Sequence, residues 1–128
     1  MTVSAVQLGI ILLDGSHARA HFAFSLAAAA AAMDRPVTLF ASGAGVHALC
    51  RDWSGLTDAV HDAELVMRGV GSLDVLREAA LSLDVRLLAC EAALRGEAVA
   101  PSALLDGVRV AGLVTFLADL ADAQLVSF

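Results

Sequence analysis

Strand-like and helix-like stretches alternate along this chain from end to end, and that alternation restricts its fold more than any other feature. Residues 3–13 are almost continuously apolar, as a strand buried on both faces must be. Asp14-Gly15-Ser16 closes the run. Asp or Ser there can cap a following helix, and glycine permits the sharp turn. Residues 17–33 read as a helix apolar nearly all round, with alanine at every position from 27 to 32. Such a helix packs on a sheet and on a second surface, such as another subunit. Pro36 stops it. Val37-Thr38-Leu39-Phe40 is β-prone, and the small-residue turn Ala41-Ser42-Gly43-Ala44-Gly45 leads into a helical candidate at residues 46–52.

Residues 53–62 read as irregular, and residues 63–67 fit a third strand or a helical turn. After the break at Gly69-Val70-Gly71-Ser72, with Ser72 as an N-cap, Leu73, Leu76, Ala79, Ala80 and Leu83 recur at helical spacing. The apolar run at residues 85–89 passes without a loop into Cys90 and a helix starting at Glu91. Pro101-Ser102 opens a short helical turn that Asp106-Gly107 ends. A last helix at about residues 110–121 precedes a terminal strand at residues 123–128. The pattern predicts one α/β domain over residues 1–128. Its sheet is mainly parallel with about five strands and helices on both faces, the doubly wound flavodoxin-like arrangement.

The chain is 59% apolar, with a mean hydropathy of +0.77. Much of that surplus is alanine, a small and strong helix former. The longest helix-like apolar stretch, residues 22–33, is well short of the ~20 residues a membrane span needs. The start, MTVSAVQLGIILLDG, lacks the basic segment of a secretion signal. These features predict a soluble, cytoplasmic chain with no membrane partner, whose remaining apolar surface is buried between subunits. The net charge is −6, and all eight cations are scattered arginines. That argues against a nucleic-acid partner, which needs concentrated positive charge. The absence of lysine excludes Schiff-base chemistry and a P-loop lysine.

Two cysteines, Cys50 and Cys90, are too far apart for a CxxC redox pair or a zinc site. Cys90 sits where a strand turns into a helix. Ligands of open parallel sheets bind at that edge, and a helix N-terminus favours thiolate. Glu91 opposes a strongly lowered thiol pKa, and a buried core cysteine is the alternative. Cys50 reads as a packed helix-face cysteine or as a second thiol that resolves Cys90, with Arg51 able to support its charge. His17 and His21, four apart, share a helix face that a metal could use. No third ligand is close in sequence, so no metal is expected. Polar lining of a pocket mouth is the better role for His17, together with Ser16. Gly43 and Gly45 lack the third glycine of a dinucleotide fingerprint and read as a tight turn, so no cofactor is expected. Ser42 and Gly43 are candidate pocket walls.

The series GVGSLDVLREAALSLDVRLLACEAALRG followed by LLDGVRVAGLVTFLADLADAQLVSF carries a further signal. A glycine break, a helix, a strand ending in Ala-Cys, a Leu-Asp-Gly-Val segment, a Gly-Leu-Val-Thr-Phe-Leu helix and a terminal strand follow in order. This resembles the DsrE/DsrF/TusD-like sulfur-relay family, closest to its small homomeric DsrE2-type branch, over about residues 69–128. The resemblance implies homo-oligomers, trimers or hexamers, and a sulfur-carrying cysteine that matches Cys90. It implies a sulfurtransferase-type protein that holds sulfane sulfur as a persulfide between sulfur-donor and sulfur-acceptor proteins. The stretch after the second strand, Phe40-Ala41-Ser42-Gly43-Ala44-Gly45, departs from that branch's Thr-Phe-x-Gly-Leu pattern. Two rival readings stand beside it: a non-catalytic module binding a small ligand, and a structural subunit of a sulfur-relay assembly.

Overall fold

The computed structural model describes residues 6–120 and 122–128. Five strands form one sheet: β1 (Leu8–Leu12), β2 (Val37–Ala41), β3 (Arg86–Cys90), β4 (Arg109–Ala111) and β5 (Gln124–Ser127). Their order is β4-β3-β2-β1-β5, and every pairing is parallel. β1 to β4 are laid down in one direction, and β5 returns to flank β1. The central strands are buried because both faces are covered, which is why they read as unbroken apolar runs. All five residues of β2 are buried. Residues 3–5 of the expected first strand lie outside the described residues.

The helices are α1 (His17–Ala32), α2 (His61–Met67), α3 (Leu73–Ser82), α4 (Glu91–Gly96) and α5 (Leu113–Asp119). Ser16 caps α1 by accepting from the Arg19 N–H at 3.3 Å. Ser72 caps α3 by accepting from the Val75 N–H at 3.1 Å. In α1 the buried positions Ala20, Ala23, Phe24, Ala27 and Ala30 follow the 3–4 residue helical repeat and face β1, β2 and α3. Small side chains there let helix and sheet approach closely. On the other face of the sheet, Phe116 of α5 stacks on Phe40 of β2 with centroids 4.7 Å apart and planes 16° apart. Such a pair contributes about 0.5–1.5 kcal/mol beyond its buried area.

Several elements differ from the sequence expectation. Residues 63–67, expected as a strand or a helical turn, take the helical form within α2. Residues 43–49 form a 3-10 helix, and Cys50 sits past its end in extended conformation, bridged to Leu104. The expected helix at residues 46–52 is displaced toward the glycines, where Gly43 takes a positive φ of 51° and Gly45 packs on the Leu12 carbonyl. The C-terminal helix does not begin at residue 110. Arg109–Ala111 is an edge strand, β4, and Gly112 caps α5. Three residues are too few to show a period of two. Residue 121, where that helix was expected to end, lies outside the described residues.

Arg77 of α3 braces the end of the 3-10 helix. It is 4% exposed, and its guanidinium donates to the carbonyls of Ala48, Cys50 and Arg51 and to Asp74 Oδ1. The last carbonyls of a helix have no partner of their own, and the buried arginine satisfies one of them, at Ala48, together with two of the chain just beyond, at Cys50 and Arg51.

Candidate functional site

Cys90 is the last residue of β3 and the N-cap of α4, with φ −65° and ψ 122°. No loop intervenes, so the thiol is fixed at the carboxyl edge of the sheet by the β2 ladder on one side and the β4 ladder on the other. It is 8% exposed, close beneath the surface. α4 spans only six residues, so its macrodipole is small. Glu91, next in sequence, is engaged by Arg95 at 2.7 Å, which offsets its charge beside the thiol. A cleft of about 350 Å³ is walled by Glu91, the residue after Cys90, with Leu94, Arg95, Val99, Pro101 and Val110; Cys90 itself does not line it.

Cys50 is buried, and its Sγ donates to the Val46 carbonyl at 3.7 Å. Both thiols are free, so the two cysteines are not joined. Burial pushes the Cys50 thiol up from its ordinary value, the Arg77 guanidinium offsets part of this, and Asp52 adds to it. Arg51, expected to support a charge on Cys50, instead points to the Ser102 carbonyl and Asp106. The folded state therefore holds the Cys50 proton to a higher pH than the unfolded chain does. The stability this confers is complete below about pH 8.5, where an unfolded thiol is protonated, and is lost as pH rises through the raised folded value. Urea midpoints are expected to fall as pH rises above about 8.5 in the wild type and to fall less in Cys50→Ala.

The expected pocket walls separate into two places. Ser16 and His17 line a second cleft, together with Asp58, Val60, His61 and Glu64. Ser42 and Gly43 belong to the turn after β2. The Ser42 N–H donates to the Leu12 carbonyl, and the Gly45 N–H to those of Leu13 and Ser42, which ties the turn to the end of β1. His17 and His21 do not converge. His17 Nε2 pairs with Asp62 at 2.8 Å, and His21 Nε2 with the Gly71 carbonyl at 2.8 Å. Sequence reasoning missed Asp62 and Arg77. Their partners lie 45 and up to 29 positions away, and no local signal marks them.

The fold and the site define a class: a small all-parallel α/β domain with a cysteine ending an inner strand at the carboxyl edge of the sheet. The chain belongs to the DsrE/DsrF-like family, whose family model matches residues 7–128. Members of that family are generally linked to sulfur relay. Among solved structures, the ychN protein from E. coli is similar at a TM-score of 0.69 and 20% identity. That likeness covers 96% of this chain and all of the other, 100%. MTH1491 of Methanobacterium thermoautotrophicum, described as of unknown function, is similar at a TM-score of 0.64 and 19% identity, over 96% of this chain and 99% of that one. At these identities the likeness speaks for the fold. No curated protein sequence matches the chain. No helix among the described residues is long and apolar enough to cross a membrane.

Proposed function

We propose that this protein carries sulfane sulfur as a persulfide on Cys90. The single observation that carries the reading is the position of that thiol. In a DsrE/DsrF-like chain, Cys90 ends an inner strand at the carboxyl edge of the sheet, and the next residue, Glu91, lines a cleft. The step is a thiol exchange without net oxidation. The Cys90 thiolate attacks the outer sulfur of a donor persulfide R–S–SH. The donor S–S bond breaks, a Cys90–S–SH bond forms, and the donor leaves as a thiolate. An acceptor thiolate then attacks the same outer sulfur, and Cys90 departs as thiolate. The cleft walled by Glu91 and Arg95 gives the acceptor a place to approach. Incubation with polysulfide, followed by intact-mass measurement, tests the reading: one added sulfur on Cys90 supports it, and none from any donor overturns it.

The carrier works as a homo-oligomer, a trimer or hexamer. Four large apolar side chains of α5 and β5 face outward: Leu113, Val114, Leu117 and Leu125 are between 48% and 82% exposed. Exposed apolar groups concentrated on adjoining elements mark an interaction surface. Val114, the most exposed of the four, is the informative position. Light scattering is expected to find the wild type as a trimer or hexamer and Val114→Asp as smaller species, because burying that carboxylate in an interface is unfavourable.

A further inference from the structure

The same run, Leu-Leu-Asp-Gly, stands twice in the chain, at residues 12–15 and at residues 104–107. An aspartate before a glycine can close on itself, because the glycine nitrogen reaches the aspartate Cγ and no side chain on glycine hinders the approach. Closure turns the main chain out of its folded geometry, so it proceeds only where that segment is free to rotate. Asp14 and Asp106 are both exposed, and exposure does not separate them. Their main chains do. The Asp14 N–H donates to the Phe128 carbonyl at 3.2 Å, and the Gly15 carbonyl accepts the Thr57 N–H at 2.8 Å. A Cβ on Gly15 would stand 2.6 Å from Ala44 Cβ, so that turn is packed as well as bonded. The Asp14 carboxylate accepts the Ser16 N–H at 3.0 Å. Hydrogen bonds from the Ser16 hydroxyl and N–H hold its carboxyl below the ordinary value, and it is the neutral acid that closes.

Asp106-Gly107 is held by far less. The Asp106 side chain is 97% exposed, and its partner Arg51, 3.4 Å away, is itself 58% exposed. Gly107 is exposed too, with a positive φ of 93°. Among the described residues no hydrogen bond ties the main-chain N–H or C=O of either residue. The two form the middle of a β-turn closed by the Val108 N–H on the Leu105 carbonyl at 3.2 Å. Such a turn opens at little cost, because opening it exposes nothing buried. We propose that Asp106 is a site of spontaneous isomerisation to isoaspartate, from which the fold protects Asp14. The Gly107 nitrogen bonds to Asp106 Cγ, and the N–H proton leaves with a carboxyl oxygen as water, giving a cyclic succinimide. Water then opens the ring. Opening at the main-chain carbonyl of Asp106 leaves the chain running through Cβ and Cγ, with the former main-chain carboxyl as the side group. Nothing is oxidised or reduced, and the mass returns to its starting value. The backbone is longer by one atom in the turn that feeds β4, whose Ala111 pairs with Cys90.

The test incubates the full chain near neutral pH at body temperature for several weeks, with a second sample held unfolded in guanidinium chloride. Both are digested and read by electron-transfer fragmentation, which tells the β-linked residue from the α-linked one. Cleavage by the endoproteinase Asp-N, which cuts before ordinary aspartate, is the second readout at each site. In the folded chain isoaspartate is expected to accumulate at Asp106 about tenfold or more faster than at Asp14. In the unfolded chain the shared Leu-Leu-Asp-Gly run is expected to bring the two rates within about threefold of each other. Asp106→Glu changes only an exposed side chain and closes the ring far more slowly, so it is expected to remove the product at that site and leave Asp14 as in the wild type. Any of three results would overturn the proposal: no isoaspartate at Asp106 in the folded chain, accumulation at Asp14 as fast as at Asp106 there, or a ratio between the sites that is no larger folded than unfolded.

Discussion

Gly45→Ala is expected to destabilise the fold by about 3 kcal/mol or more, a large share of what a domain this size has in reserve. A Cβ at position 45 would press on the Leu12 carbonyl oxygen and stand 2.9 Å from its carbonyl carbon and 3.1 Å from Leu12 Cγ. The obstacle is the backbone of β1, which cannot step aside because β2 and β5 hold it on both edges. The alternative is for the 3-10 helix to move away. That breaks the bonds from the Gly45 N–H to the Leu13 and Ser42 carbonyls, at about 1 kcal/mol each. It also disturbs the carbonyls that Arg77 gathers further along. Gly96→Ala is the matched control, since a Cβ there meets nothing within 4 Å, and its urea midpoint is expected to stay near the wild-type value. A midpoint for Gly45→Ala equal to that of Gly96→Ala would contradict this account of how β1 and the turn meet.

Cys90→Ser is expected to reduce sulfur transfer from polysulfide to an acceptor thiol by about a hundredfold or more, while Cys50→Ser leaves it within about twofold. Serine is close to cysteine in size, so β3 and α4 keep their geometry. The cost to stability of setting a hydroxyl at a position 8% exposed is about 1 kcal/mol. The chemistry is lost because a serine hydroxyl is not ionised near neutral pH and does not form the S–S bond that exchange requires. Cys50, buried like Cys90, has its Sγ turned to the Val46 carbonyl, and burial pushes its thiol pKa up. If Cys50→Ser abolished transfer as well, the two thiols would act in series. If only Cys50→Ser abolished it, the assignment to Cys90 would be wrong.

Much of this architecture was legible because burial on both faces of a parallel sheet writes itself into the sequence. β1, β2, β3 and β5 stand where apolar runs alternate with helical spacing, and Ser16 and Ser72 cap the helices they were expected to cap. β4 was not legible, since an exposed three-residue edge strand, Arg109–Ala111, has neither an apolar run nor a visible period. The turn after β2 was legible from its glycines, but the helix expected at residues 46–52 is a 3-10 helix at Gly43–Leu49, and its close contact with the end of β1, more than thirty positions earlier, leaves no local signal. Cys90 stood out because its strand-to-helix junction is local. The pairing of His17 with Asp62 did not, because it joins the first helix to a segment 45 positions on whose own composition suggested only a loop. His17 and Ser16 were expected at a pocket mouth. They line a cleft, but one whose described walls include neither cysteine.

The most direct measurement of the central claim is the native intact mass of the protein after incubation with polysulfide, alongside Cys90→Ser treated in the same way. The account predicts that the wild type gains the mass of one sulfur atom and that a thiol reductant removes it. It predicts no gain in Cys90→Ser. An unchanged wild-type mass with every sulfane donor, or an equal gain in both proteins, would contradict it.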